Sequence, residues 1–146
     1  MAKRFTLWEA ERMIPQVREW LEEALALKSQ YDEADHAMQS LTERIMLMGG
    51  IVVDRQSAAK SKMQREESGQ RLRAILGRFE ESGCLVKDLD IGLVDFPTLF
   101  HGEEVYLCWK LGEDKIAFWH GTQEGFAGRK AIDQDFLDHH EGEQAN

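Results

Sequence analysis

Cysteine is scarce: the 146 residues hold only Cys84 and Cys108, far apart and in no C-x-x-C arrangement. That excludes a disulfide framework and a four-thiolate zinc site, and a reducing cytoplasm is the compartment it fits. No apolar run approaches the ~18 residues of a membrane-spanning helix. The basic start Met1-Ala2-Lys3-Arg4-Phe5 leads into acidic, periodic sequence without the apolar stretch of a secretory signal, so neither secretion nor membrane spanning is expected. Positive charge is also short. Against 27 Asp+Glu stand 18 Lys+Arg, a formal net charge of -9 that repels nucleic-acid phosphate and anionic lipid. Neither nucleic acid nor membrane is expected as a partner. Walker, H-x-x-x-H and H-E-x-x-H motifs are missing, and so is any internal repeat.

What is present is ordinary core material. Hydrophobic residues make up 42% of a chain long enough to hide about two thirds of its unfolded surface, which predicts one domain that folds without a staple or a metal. Thr6 and Glu9 have the spacing of a capping box, with Phe5 outside it as half of a hydrophobic staple, and they predict a helix start. Pro15 then predicts a kink or a fresh start. Beyond it the stripe Val17, Leu21, Ala24, Tyr31, Met38, Leu41, Ile45 and Met48 keeps three-four spacing, interrupted by Lys28 and Asp35 and stopped by Gly49-Gly50. After the apolar linker Ile51-Val52-Val53, a second helix is expected from about Ala58 to Ser82, with Gly83 just past its end and Ala59, Met63, Leu72, Ile75, Leu76 and Phe79 as contacts.

Residues 1–53 carry six basic and nine acidic side chains, and 54–79 seven basic and three acidic, so the two helices should attract as an antiparallel hairpin. Its first helix beyond Pro15, at 1.5 Å per residue, runs roughly 50 Å. A stripe along so long a helix is expected to be covered by a second copy, making a coiled-coil homodimer.

From Cys84 onward β-branched and aromatic residues alternate between glycine turns. Three strands are expected, at about Ile91 to Phe100, Glu103 to Leu111 and Lys115 to His120. Pairing Phe100 with Glu103 sets Asp95 opposite Cys108 and Phe96 opposite Leu107. Val94, Phe96, Val105, Leu107, Trp109, Leu111, Ile116 and Phe118 then share the core face. Leu93, Asp95, Leu99, Tyr106, Cys108, Lys110 and Trp119 share the other, which is too apolar to lie bare and calls for a cover from the helices or another subunit. The fold class is therefore α+β: a helical hairpin over 1–83, a three-stranded antiparallel meander over 84–132, and a frayed acidic tail over 133–146.

Several groups can carry chemistry. His120 with Glu124 just beyond it, and Asp95 from the covered face, are candidate ligands for a divalent metal. Asp95 needs a partner where it stands, and Lys110 lies diagonally across from it. Asp88 and Asp90 alternate along an extended segment and read most simply as solvated edge charges. Cys108 would need a histidine beside it to act as a nucleophile, and the register above points His120 to the opposite face. Gly121, Gly125 and Gly128 followed by Arg129-Lys130 form a flexible loop ending in a cationic pair suited to an anion. His139-His140 with Glu141 makes at most a weak metal site in a tail.

Together, Phe5-Thr6-Leu7, Lys87-Asp88-Leu89-Asp90, Gly92-Leu93-Val94-Asp95-Phe96-Pro97, Tyr106-Leu107-Cys108-Trp109-Lys110-Leu111-Gly112-Glu113, Phe118-Trp119-His120 and Gly125-Phe126-Ala127-Gly128-Arg129 resemble the bacterial domain-of-unknown-function family 2203. The likeness runs from about Phe5 to Ile132 and implies a small cytoplasmic protein with no assigned reaction. Asp95, Cys108, Glu113, His120 and Arg129 stand inside its motif blocks. Three functions are then expected in this order: a cytoplasmic binding or scaffold module with a metal site at Asp95, His120 and Glu124 or an anion or partner site at Cys108, Glu113, Arg129 and Lys130; a metal-dependent hydrolase; and a coiled-coil adaptor for a protein partner.

Overall fold

The capping box forms as its spacing predicts. The Thr6 N–H donates to Glu9 Oε1 and the Glu9 N–H to Thr6 Oγ1, both at 3.1 Å, and helix α1 (Leu7–Met48) starts there. The computed structural model describes residues 3–48 and 55–142. The expected Gly49-Gly50 stop, the Ile51-Val52-Val53 linker and the end of the acidic tail lie outside the described residues.

Contrary to the expected break, α1 runs through Pro15 as one helix. Pro15 removes one amide hydrogen bond, but Ala10, Ile14, Val17 and Leu21 on both sides of it are buried on one face. Apolar burial thus holds the helix across the defect. Helix α2 spans Arg55–Ser82, and Gly83 follows with a left-handed φ of 90°.

The chain divides into two compact units, and each is described by itself. Glu22–Ile75 forms one. In it α1 and α2 run antiparallel, with Glu23 3.8 Å from Arg71, Asp35 2.9 Å from Arg65, and the Tyr31 ring against Gly69. Asp35, which breaks the apolar stripe in sequence, is thus an ion-pair partner. Ala24, Leu27, Ala34 and Ser68 are buried here, whereas Ile45, Met46, Leu47 and Met63 are exposed.

The other unit combines the start of α1 with everything from Leu76 onward. The meander is larger than the expected three strands. An antiparallel sheet runs β1 (Leu85–Asp88), β2 (Leu93–Phe100), β3 (Glu103–Lys110), β4 (Phe118–Gly121), β5 (Lys130–Ala131), and β6 (His140–Glu141) adds to β2. The expected tail over 134–141 instead forms helix α3 (Gln134–His139) and β6, with Phe136 buried against Phe100 and Trp119. The β2–β3 register is as expected, Asp95 opposite Cys108 and Phe96 opposite Leu107.

One edge of β2 pairs along its whole length with β3. The other is shared by β1 at its start, β6 at its end, and the backbone of Phe5 between them, which donates to Pro97 O at 2.7 Å. Pro97 has no N–H to offer, and its polar edge faces this patched side rather than β3.

The phase of β4 is the main correction. Tyr106 pairs with His120 and Cys108 with Phe118, so Phe118 and His120 lie on the Asp95 face and Trp119 lies on the Phe96 face. The expected assignment was reversed because β3 and β4 are joined by residues 111–117 rather than by a tight turn, and only a tight turn transmits register. Phe5 meets Phe96 edge-on at 5.5 Å and the Arg18 guanidinium lies 5.9 Å from the Trp109 ring, which sets the start of α1 over the Phe96 face.

Candidate functional site

Three neighbouring strands each contribute one chemically active side chain to the face away from α1: Asp95 from β2, Cys108 from β3 and His120 from β4. Period-two alternation and the two registers put them side by side. A nitrogen, a sulfur and a carboxylate oxygen lie within 4.8 Å of one another, and all three residues are buried. The partner that Asp95 requires is His120, not Lys110, whose ammonium lies over the Phe126 ring.

His120 Nε2 is 3.0 Å from both carboxylate oxygens, with the hydrogen bond directed at Oδ1. Its Nδ1 is 2.9 Å from the Gly121 carbonyl, which can only accept, so that nitrogen carries a proton. Asp95 Oδ2 is buried without a hydrogen-bond partner. Burial pushes the Asp95 carboxyl above the usual carboxylate range, opposed by His120, Cys108 and Lys87. Burial and the Asp95 charge push the Cys108 thiol up to about 12, with Arg129 opposing. A thiol held in its neutral form by burial and a neighbouring carboxylate is not an activated nucleophile.

The cover over this face comes from the same chain. The Arg129 guanidinium stacks on Phe118 at 4.1 Å and Phe126 at 4.8 Å, Lys87 lies over Tyr106 at 4.8 Å, and Tyr106 meets His120 edge-on. Burial, then Glu104 and Asp95, raise the Tyr106 phenol above its ordinary value.

The other expected site residues are placed elsewhere. Glu124 accepts from Gly121 N–H and Lys130 Nζ instead of joining Asp95 and His120, and those two donors hold its carboxyl below the usual range. Arg129 Nη2 donates to both oxygens of Glu113 at 2.9 and 2.7 Å. Glu113 also accepts the Lys110 N–H through its side chain and the Trp109 indole N–H through its carbonyl, tying off the turn after β3. Both cations of the proposed anion loop therefore have internal carboxylate partners. Asp88 is exposed at the sheet edge, where its Oδ1 accepts the Ile91 N–H.

Sequence reasoning grouped Cys108 with the anion residues rather than with His120, an error that follows from the reversed phase of β4. A second cluster, His101, Asp135 and His139, was seen only in His139, which the sequence grouped with His140 and Glu141 instead. Its only local signal is the four-residue spacing of Asp135 and His139, which has meaning once that segment is helical.

The family model described as an uncharacterized conserved protein (DUF2203) matches residues 3–132. No curated protein and no solved structure matches the chain.

Proposed function

The chain belongs to the uncharacterised conserved protein family DUF2203, and from that premise we propose a cytoplasmic binding module whose sheet holds a divalent transition-metal ion between Asp95, Cys108 and His120. The observation that carries this reading is the orphaned oxygen. Asp95 Oδ2 accepts no well-directed hydrogen bond although it lies 3.0 Å from His120 Nε2, and it sits beside two further ligand atoms of different chemistry. A metal ion would replace that poorly directed contact with direct coordination of the carboxylate. Imidazole and thiolate donors favour zinc-like ions over magnesium or calcium. The positive charge of the ion would draw the proton from the Cys108 thiol despite its high apo value.

Burial of all three side chains supports binding rather than hydrolysis, which needs a coordination position open to water and substrate. Self-association is a second reading. The exposed Ile45, Met46, Leu47 and Met63 of the helical unit support it, as the kind of apolar surface a partner or second copy covers.

The test is elemental analysis of untagged protein, dialysed first against zinc and then against a weak chelator. Near-stoichiometric zinc in the wild type and its loss in Cys108→Ser and His120→Ala are expected. A folded wild-type protein that retains no zinc after this treatment would refute the metal reading.

A further inference from the structure

We infer that the β2–β3 turn and helix α3 form a separate surface site for a divalent transition-metal ion, with His101, Asp135 and His139 as ligands. It is independent of the buried cluster, and two of its three residues lie beyond residue 132, where the family match ends.

The two-residue turn His101-Gly102 has φ values of 50° and 78°, both left-handed, as a type I′ hairpin requires. Few residues other than glycine take a positive φ, and histidine, with asparagine and aspartate, is among those that do so most readily, so the turn accommodates His101. The turn brings His101 to α3, where its Nε2 is 3.4 Å from Asp135 Oδ2. Asp133 caps α3 by accepting the Phe136 N–H, and the helix sets Asp135 and His139 on one face. His139 Nδ1 lies 3.0 Å from Asp135 Oδ1 and 3.0 Å from the Asp135 backbone carbonyl, contacts that an incoming ion would replace. The two imidazoles stack with centroids 4.6 Å apart.

Both carriers are tied together through the backbone, so the three side chains converge on fixed supports. His101 N–H donates to the His139 carbonyl at 3.3 Å, and β6 pairs with the end of β2. The side chains themselves are 53%, 57% and 52% exposed, which leaves them free to turn toward an ion and leaves further coordination positions to water. Two imidazoles and one carboxylate with open positions suit nickel, cobalt, copper or zinc rather than calcium or magnesium. With no sulfur donor, the site is chemically distinct from the buried one.

An ion here would pin the C-terminal segment. That segment also reaches α1, since His140 Nε2 accepts the Leu7 N–H at 3.0 Å and Gly142 lies against Thr6. Metal binding at the turn should therefore slow amide exchange over residues 134–142.

The experiment is cobalt(II) titration of the chelator-stripped full chain, followed by electronic spectra and by hydrogen exchange. His101→Asn is the main variant, because asparagine keeps the turn, and His139→Ala is the second. Binding that persists in Cys108→Ser without a thiolate-to-cobalt charge-transfer band, and that weakens about tenfold or more in His101→Asn, would establish the surface site. Loss of all binding in Cys108→Ser would overturn it while leaving the buried site standing. Cobalt affinity unchanged in both His101→Asn and His139→Ala, with no slowing of exchange over 134–142, would overturn it as well. A charge-transfer band missing from the wild type alongside His101-dependent binding would refute the buried site alone.

Discussion

Phe5 donates its backbone N–H to the Pro97 carbonyl at 2.7 Å, while its ring is buried edge-on against Phe96, the neighbouring residue of the same strand. One residue before the first helix thereby fills both the missing stretch of a strand edge and a position in the core.

Phe5→Ala should accordingly destabilise the protein by about 3–5 kcal/mol, the usual cost of emptying a buried phenylalanine site. Phe5→Leu should cost under about half of that. Urea unfolding followed by tryptophan fluorescence measures both, and equal midpoints for Phe5→Ala and wild type would remove Phe5 from the core.

Cys84 predicts a loss of stability in alkali. Burial raises its thiol from 9.0 to about 11, opposed by the Ser82 hydrogen bond and by Lys3. The native state therefore keeps a proton that the unfolded chain releases above pH 9. Its contribution is complete below about pH 9 and falls away as pH rises through 11, by on the order of 2–3 kcal/mol in full. Unfolding midpoints between about pH 8 and 11 should drop more steeply for wild type than for Cys84→Ala. Parallel curves would show that the thiol is not protected.

Glu113→Gln should leave the Arg129 guanidinium, only 10% exposed, without its carboxylate and cost about 2–4 kcal/mol. Adding Arg129→Met should restore much of that loss, because the stranded charge goes with it. A double-mutant cycle checks this, and purely additive effects would mean that the two residues do not act as a pair.

Two glycines with left-handed backbone should respond differently to alanine. A Cβ on Gly92, φ 71°, would lie 2.5 Å from Leu111 Cβ, whereas one on Gly112, φ 104°, meets open space. Gly112→Ala should cost about 1 kcal/mol for the conformation alone and Gly92→Ala distinctly more. Thermal unfolding of the pair decides it, and the reverse order would contradict the close approach of the two chain segments.

How far the molecule was legible depends on how each element was anchored in the chain. Thr6 and Glu9 announced the helix start because their partners are three residues apart. The Asp95–Cys108 pairing was legible because a two-residue turn leaves β3 no alternative register. His120 was not, since the seven residues before β4 allow either phase, and with that phase went the composition of the buried cluster. Helix α3 escaped notice because its six residues are polar but for Phe136 and Leu137, and it owes its place to the aromatic contacts of Phe136 with Phe100 and Trp119. Pro15 misled for a related reason: a local rule predicts a break that long-range burial overrides.

The patched edge of β2 also bears on how the chain is made. Residues from three distant parts of the sequence, Phe5, β1 and β6, complete the same strand, and His140 and Glu141 are the last of them to be synthesised. While the nascent chain still holds β6 inside the ribosome, the far end of β2 keeps open hydrogen-bonding groups beside the aromatic rings of Phe100 and Trp119. In this protein, the interval between the emergence of β2 and that of β6 leaves that end of the strand open to mispairing.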